Sequence, residues 1–168
     1  MGRLARILRH RALDERDVQR VLDDAAMKRI EARVAESERR HSGEIRVSVE
    51  AGLPWSYLWK RLAARDRAVM MFGKLRVWDT ADNNGVLIYL LLAEHSIEVV
   101  ADRGLNVHVG PEQWQAIVER MREPFRAGRF EEGLNAAIDA VDALLVEHFA
   151  LAQGQTNPNE LPDAPWRG

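Results

Sequence analysis

The chain has 168 residues and a net charge of −2, and 46% of its residues are hydrophobic and 30% charged. That balance is typical of a folded domain, and it excludes wholesale disorder and the strongly basic surface of a nucleic-acid-binding protein. Cysteine is absent, which excludes disulfide bonds, thiolate zinc sites and cysteine nucleophiles.

Residues 1–13 are a basic N-terminal segment in which Arg3, Arg6 and Arg9 alternate with leucine and isoleucine. The segment lacks the apolar core of a signal peptide, and no apolar run reaches the roughly 20 residues that cross a bilayer. We therefore expect a cytoplasmic protein. The segment is either an amphipathic helix in weak contact with a membrane or a protein partner, or a terminal helix that packs back on the domain. The second interpretation is favoured because few apolar residues would be buried on a membrane.

Residues 14–150 contain the alternating helices and strands of an α/β domain. Asp14 is the predicted N-cap of a first helix over about 14–41. Residues 44–50 alternate apolar and polar side chains, which predicts a half-buried strand. The helical spacing of later apolar residues predicts a second helix from Ser56 to about Phe72.

The apolar run from Gly85 to Ala93 predicts a central strand covered on both faces, and residues 97–102 predict the strand that returns beside it. Counting pairs outward from the turn between these strands places Asp102 beside Leu87. The loop of residues 79–84 and the turn after the returning strand should therefore meet at one end of the sheet.

Two helices follow, one that begins at Pro111 and ends or bends near Pro124 and Gly128, and one that begins near Phe130. Residues 151–168 hold three of the six prolines and are predicted to be an extended or disordered tail. The order of helices and strands predicts an α/β layer fold with a small mixed sheet.

Three stretches, HSGEIRVSVE, ADNNGVLIYLLLAEHSIEVVADRGL and REPFRAGRFEEGLNAAIDAV, resemble the TPM domain in their order and spacing. The resemblance extends from about Leu13 to Phe149, with a weaker match at NELPD. That family includes thylakoid-lumen proteins of photosystem repair, one-pass membrane proteins of animals and many bacterial proteins.

Resemblance to this family implies a Rossmann-like α/β/α sandwich with a small mixed central sheet of three to four strands. It implies no single activity, because some plant members are described as acid phosphatases and others as divalent-ion-binding or membrane-associated accessory domains. Many members have a secretion signal and a transmembrane anchor. Neither is found in this sequence, so we expect a short, soluble form of the family.

The loop and the turn that meet at the end of the sheet form the candidate metal site. Their oxygen-bearing side chains suit Ca²⁺ or Mg²⁺ better than zinc. The predicted ligands are Asp79, Asp82, Asn84 and Asp102, and Asn83 of the same loop is a further oxygen donor. A cation would relieve the repulsion between the carboxylates. Alternatively, these are ordinary turn residues, and Asp102 pairs with an arginine or caps a helix. The spacing of these residues supports the two interpretations equally, and the resemblance to the TPM domain favours the ion site.

The function that follows is an accessory or interaction domain with a weak divalent-cation site and no organic cofactor. The alternative is a metal-assisted acid phosphatase that acts on phosphomonoesters, with Arg103 and Arg76 in contact with the phosphate. No nucleophile motif supports catalysis, since residues 79–82 lack the Asp-x-Asp order and no P-loop or Gly-x-Ser-x-Gly occurs. The sequence leaves open whether the chain is an enzyme.

Two further groups of side chains are candidate binding sites, the histidines and an aromatic cluster. The five histidines lie far apart in the sequence, so a zinc site is not expected. Trp55, Tyr57 and Trp59 cluster after the first strand. They form a surface for a partner or membrane, or else Trp55 and Trp59 form a lid on the core where the second helix begins, and the lid is favoured.

Overall fold

Strand β1 (Glu44–Glu50) and strand β2 (Gly85–Leu91) lie parallel at the centre of the sheet. Strand β3 (Ser96–Ala101) returns antiparallel beside β2, and strand β4 (Trp166–Arg167) pairs parallel with β1, which gives the order β3-β2-β1-β4. These positions come from a computed structural model that describes residues 2–168, apart from the side chain of Arg3. The small mixed sheet predicted from the sequence is confirmed.

The described residues form eight helices, which are α1 (Arg3–Arg11), α2 (Glu15–Val21), α3 (Asp24–Glu38), α4 (Trp55–Trp59), α5 (Ala64–Lys74), α6 (Arg103–Asn106), α7 (Pro111–Arg126) and α8 (Phe130–Phe149). One core lies between the sheet and α2, α3, α7 and α8. A second core lies between the opposite face of the sheet and α1, α4 and α5. The three layers confirm the α/β/α sandwich. In this part of the chain, every helix is too short or too polar to span a bilayer.

The helix predicted over 14–41 is divided into α2 and α3. Asp14 is the N-cap of α2, as predicted, and its side chain accepts a 2.8 Å hydrogen bond from the main-chain N of Arg16. Leu22 then leaves helical geometry, with φ −133° and ψ 83°. Asp23 caps α3 by accepting a 2.7 Å hydrogen bond from the main-chain N of Ala26. The division turns the fully buried Leu22 towards the core.

The helix predicted from Ser56 to Phe72 is also divided, into α4 and α5. Arg61 adopts left-handed backbone geometry with φ +57°, which a continuous helix excludes. Helix α5 then begins at Ala64, where the side chain of Asp66 accepts a 2.7 Å hydrogen bond from the main-chain N of Ala63.

Strand β1 is buried on both faces, so the prediction of a half-buried strand is wrong. The polar residues of the strand are at most 8% exposed, and they are Glu44, Arg46, Ser48 and Glu50. Helix α5 and the C-terminal tail cover them. The main-chain N of Leu161 donates a 3.1 Å hydrogen bond to Glu44, and Arg46 donates to the carbonyl oxygens of Pro162 and Ala164.

The C-terminal tail, residues 151–168, is extended and packs along β1. Leu161 is buried in the second core. The side-chain amide of Asn157 donates hydrogen bonds of 2.9 and 3.1 Å to the carbonyl oxygens of His41 and Gly43. The last residues of the tail supply β4. The tail is therefore part of the folded domain.

In the β2–β3 hairpin, Leu87 lies beside Val100, so the predicted pairing of Asp102 with Leu87 is wrong by two residues. The main-chain N of Asp102 donates a 2.9 Å hydrogen bond to the carbonyl oxygen of Gly85 instead. The turn begins at Leu92, one residue earlier than predicted, and a short 3₁₀ segment forms there. An offset of two leaves each side chain on its predicted face.

Strand β3 lies at one edge of the sheet, and side chains bind two of its carbonyl groups. Arg65 of α5 donates a hydrogen bond to the carbonyl oxygen of Val99, and the Asn106 amide donates one of 2.7 Å to that of Ala101. The indole of Trp114 donates a 3.0 Å hydrogen bond to Oδ1 of Asn106, which orients that amide.

Candidate functional site

The candidate site lies where β2 begins and β3 ends. An open cleft of about 480 Å³ is lined there by Trp78, Asp79, Thr80, Asn83, Asp102 and Arg103. This end of the sheet carries the amino ends of the parallel strands β1 and β2, whereas ligands of α/β sheets usually bind at the carboxyl ends. A ligand site at this end of the sheet therefore requires suitable side chains, because the fold alone does not favour one.

Two glycines allow the loop and the turn to meet. A Cβ atom on Gly85 would lie 2.0 Å from the carbonyl oxygen of Val77, and one on Gly104 would lie 2.5 Å from those of Asp82 and Asn83. The main-chain N of Gly104 donates a 2.9 Å hydrogen bond to the carbonyl oxygen of Asn83. The predicted convergence of loop and turn is confirmed.

Asp102 is the N-cap of α6 through only one of its carboxylate oxygens. Its Oδ1 accepts a 2.7 Å hydrogen bond from the main-chain N of Arg103. Its Oδ2 is buried, and no described residue donates a hydrogen bond to it. Burying a polar atom without a partner costs free energy. Helix capping, the alternative role foreseen for Asp102, therefore accounts for half of this carboxylate.

Asp79 lines the same cleft and forms an ion pair with Arg76. Both side chains are largely exposed, so water screens the pair and it holds Asp79 weakly. Arg76 itself does not line the cleft. Of the two arginines predicted to contact an anion, Arg103 alone lines the cleft.

Asp82 and Asn84 contact Ser42, which precedes β1, and do not line the cleft. Oδ2 of Asp82 accepts a 3.2 Å hydrogen bond from the Ser42 hydroxyl. The side-chain amide of Asn84 donates a 3.2 Å hydrogen bond to Oγ of Ser42. Asn84 is fully buried, and its Oδ1 receives no hydrogen bond from the described residues. The structure thus brings Asp79 and Asp102 to one cleft and places the other two predicted ligands beside Ser42.

No group of three or more His, Asp or Glu side chains in the described part of the chain is arranged to hold a metal ion. An ion in the cleft would therefore need oxygens from Asn83, main-chain carbonyl groups or water, in addition to the two carboxylates. Such a set of hard oxygen donors fits Ca²⁺ or Mg²⁺, because zinc in proteins is usually bound by histidine or cysteine.

Two residues near the site were missed by the sequence analysis. Ser42 lies there because Glu44 pairs with Gly85 in parallel register, and a predicted parallel pairing of these strands would have found it. Glu160 of the tail reaches the same loop, where the main-chain N of Ala81 donates to both of its carboxylate oxygens at 3.1 Å. No local sequence pattern indicates that contact.

The histidines are less scattered in space than in sequence. His95 is exposed at the hairpin turn, as expected. His108 and His148, however, stack with their ring centroids 4.7 Å apart and an interplanar angle of 10°.

A four-stranded mixed sheet between two helical layers, with an acidic cleft at one end, defines an α/β/α sandwich protein. The TPM domain family matches residues 16–144, which is more than half of the chain. The chain belongs to the TPM domain family.

Two solved structures share the fold. The NMR structure of the BA42 protein from the psychrophilic bacterium Bizionia argentinensis has a TM-score of 0.73 and 27% sequence identity, and the match covers 86% of this chain and 93% of that one. The N-terminal domain of a protein from P. gingivalis has a TM-score of 0.63, with 20% identity over 79% of this chain and 83% of that one, a likeness that shows the fold alone. No curated protein sequence matches the chain.

Proposed function

We propose that this chain is an accessory or interaction domain that binds a divalent cation weakly in the cleft between Asp79 and Asp102. The observation that carries the proposal is the buried Oδ2 of Asp102, which receives no hydrogen bond from the described residues. A cation would supply the missing partner for this oxygen, and the chemistry of the neighbouring donors fits a hard ion.

Asp102 would hold the ion through Oδ2, with Asp79 and the side-chain oxygen of Asn83 as further ligands. The ion would supply positive charge between the two carboxylates and would tie the loop to the turn. Arg76 already pairs with Asp79, so the ion competes with a guanidinium, and we expect weak binding. Asp82 and Asn84 would support the loop through Ser42 rather than bind the ion.

The test is a titration with Ca²⁺, and separately with Mg²⁺, followed by amide chemical shifts and thermal unfolding. We expect saturable shifts at Asp79, Asn83 and Asp102 and a higher unfolding temperature, because a ligand of the native state stabilises it. Asp102→Asn preserves a good N-cap but removes the charge, so this variant should fold and lose the response.

The matched control is Asp14→Asn, which changes another N-cap aspartate at the start of α2 and should titrate like the unchanged protein. If Asp102→Asn responds to either ion as the unchanged protein does, the cleft is not the binding site.

A metal-assisted phosphatase is a second candidate, because Arg103 lines the cleft beside Asp102. A guanidinium in that position can bind a phosphate group. The test is release of phosphate from p-nitrophenyl phosphate in the presence of Mg²⁺. Catalysis requires activity that Arg103→Gln abolishes and Arg76→Gln leaves in place. Activity no greater than that of Asp102→Asn would rule out this candidate and leave the cation proposal untouched.

A further inference from the structure

We propose that α1 and α4 together form a docking surface for an anionic lipid bilayer. We call it the α1–α4 surface, and it consists of the apolar residues Leu4, Leu8, Trp55 and Trp59 and the basic residues Arg9, Arg11, Lys60 and Arg61. It is separate from the acidic cleft and does not depend on the function proposed for that cleft.

The apolar part of the surface is unusually exposed. Leu4 and Leu8 are 76% and 68% exposed, and Trp55 and Trp59 are 53% and 61% exposed. The prediction that these tryptophans form a lid on the core is therefore wrong. Their rings stack with centroids 6.2 Å apart. Single exposed apolar residues are common, but grouped large ones mark interaction sites, and tryptophan is enriched where proteins meet the membrane interface.

Helix α1 is fixed against the segment that contains α4. Arg6 donates a 2.8 Å hydrogen bond to the carbonyl oxygen of Leu62 and another of 2.8 Å to Glu94. The main-chain N of Leu53, just before α4, donates a 3.0 Å hydrogen bond to Nδ1 of the buried His10. The terminal helix thus packs back on the domain, as the favoured interpretation of the sequence held, and still leaves one side exposed.

The exposed leucines belong to a row of side chains on α1 that ends near Trp55 of α4. Leu4, Leu8 and Arg11 follow the spacing i, i+4 and i+7, which places them on one side of the helix. Arg11 and Trp55 line the same cavity of about 500 Å³. Arg11, at the end of this row, therefore connects the leucines of α1 to Trp55, which stacks on Trp59.

The α1–α4 surface itself carries four basic residues, whereas Asp14 and Glu15 line the cavity beside Arg11. No carboxylate of the described residues lies within ion-pairing distance of Arg9, Arg11, Lys60 or Arg61, although many other arginines of the chain are paired. Each basic residue close to an anionic membrane strengthens binding to it. Of the predicted basic residues, Arg9 belongs to this surface, Arg6 is paired with Glu94, and the side chain of Arg3 lies outside the described residues.

A bilayer fits this surface better than a second copy of the chain does. Two copies that met here would bring two clusters of unpaired positive charge together, which is unfavourable. An anionic bilayer offers negative headgroups to the basic residues and an apolar layer beneath them for leucine and tryptophan.

The test is flotation with phosphatidylcholine vesicles that contain or lack phosphatidylserine. We expect the protein to float with the anionic vesicles only, less strongly at high salt. Leu8→Glu and Trp55→Glu should each reduce binding by about tenfold or more, because each replaces an inserted apolar side chain with a repelled charge. The matched control is Val107→Glu, because Val107 is 77% exposed but lies outside the surface.

Circular dichroism checks that each variant is folded, which is expected because the altered positions are exposed. Failure of the unchanged protein to float with anionic vesicles would overturn the proposal. Binding that Leu8→Glu and Trp55→Glu leave unchanged would overturn it as well. Concentration-dependent dimerisation that Leu8→Glu abolishes, with no vesicle binding, would assign the surface to a second copy instead.

Discussion

The hydroxyl of Tyr89 donates a 2.7 Å hydrogen bond to Oε2 of Glu50, in the layer between the sheet and α5. Arg67 pairs with the same carboxylate through both of its oxygens. Burial, and secondly the nearby charge of Glu50, raises the pKa of Tyr89, so this phenol remains a donor at any ordinary pH. These three side chains join β1, β2 and α5 through buried polar contacts.

Arg67→Met should destabilise the domain by about 3–5 kcal/mol, because it leaves the carboxylate of Glu50 buried without its positive partner. The measurement is the free energy of unfolding in urea. The double variant Arg67→Met with Glu50→Gln should recover part of the loss, since no unpaired charge remains. A loss below about 1 kcal/mol for the single variant would show that water reaches Glu50 and replaces the arginine.

The stability of the domain should fall as pH rises above about 4.5. Glu38 accepts a 2.8 Å hydrogen bond from the main-chain N of Ile45, and burial raises its pKa from 4.5 to about 9, with Glu44 and Asp163 as further causes. Burial also raises the pKa of Glu44. At a pH between these two pKa values, Glu38 is protonated in the native state and ionised in the unfolded chain. The contribution of Glu38 to the free energy of unfolding is therefore complete below pH 4.5. It is lost as pH approaches 9, by up to about 1.4 kcal/mol per pH unit.

Urea unfolding across this pH range measures the slope. Glu38→Gln should flatten it, whereas Glu31→Gln, an exposed position on the same helix, should not. Equal slopes for Glu38→Gln and the unchanged protein would mean that Glu38 is ionised in the native state.

Leu161→Ala should destabilise the whole domain by about 2–5 kcal/mol, because Leu161 is buried in the second core and its truncation leaves a cavity. Thermal unfolding measures the effect, and Pro158→Ala, an exposed change in the same tail, is the control. If both variants unfold like the unchanged protein, the tail detaches without cost and is not part of the cooperative domain.

Gly85→Ala should be destabilising by about 1–3 kcal/mol, because its Cβ would lie 2.0 Å from the carbonyl oxygen of Val77 and the backbone must move. Gly73→Ala offers a matched control in α5, where a Cβ meets nothing within 4 Å. That change should stabilise by about 0.5–1 kcal/mol, since alanine favours helix. Chemical unfolding compares the two, and equal effects would show that the loop gives way to the new methyl group.

Hydrophobic periodicity was enough to predict the layers of this fold but not the breaks within its helices. Leu22 continues the apolar spacing of the helix before it, so nothing in the sequence pattern marks the point where α2 ends. Leu22 is fully buried at the point where its backbone leaves helical geometry. The polar face of β1 shows the same limit, because its cover is a tail segment whose Leu161 lies 117 residues from Glu44.

The candidate site was predictable to the extent that strand pairing determines it. The hairpin brings Asp102 to the loop whichever of the two registers is assumed, because both keep the same end of the sheet. The direction of each loop side chain depends on local backbone angles, such as the φ of +51° at Asn83. Spacing carries no information about such angles, so the contacts of Asp82 and Asn84 with Ser42 were not foreseen.

Both edges of the sheet are partly covered. At one edge, Arg65 and Asn106 donate hydrogen bonds to carbonyl groups of β3. At the other edge, β4 pairs with part of β1. The unpaired backbone groups of an exposed edge strand can pair with strands of other molecules and so lead to aggregation. The domain therefore exposes apolar helical side chains on its outer layer while it leaves only short stretches of free backbone at its sheet edges.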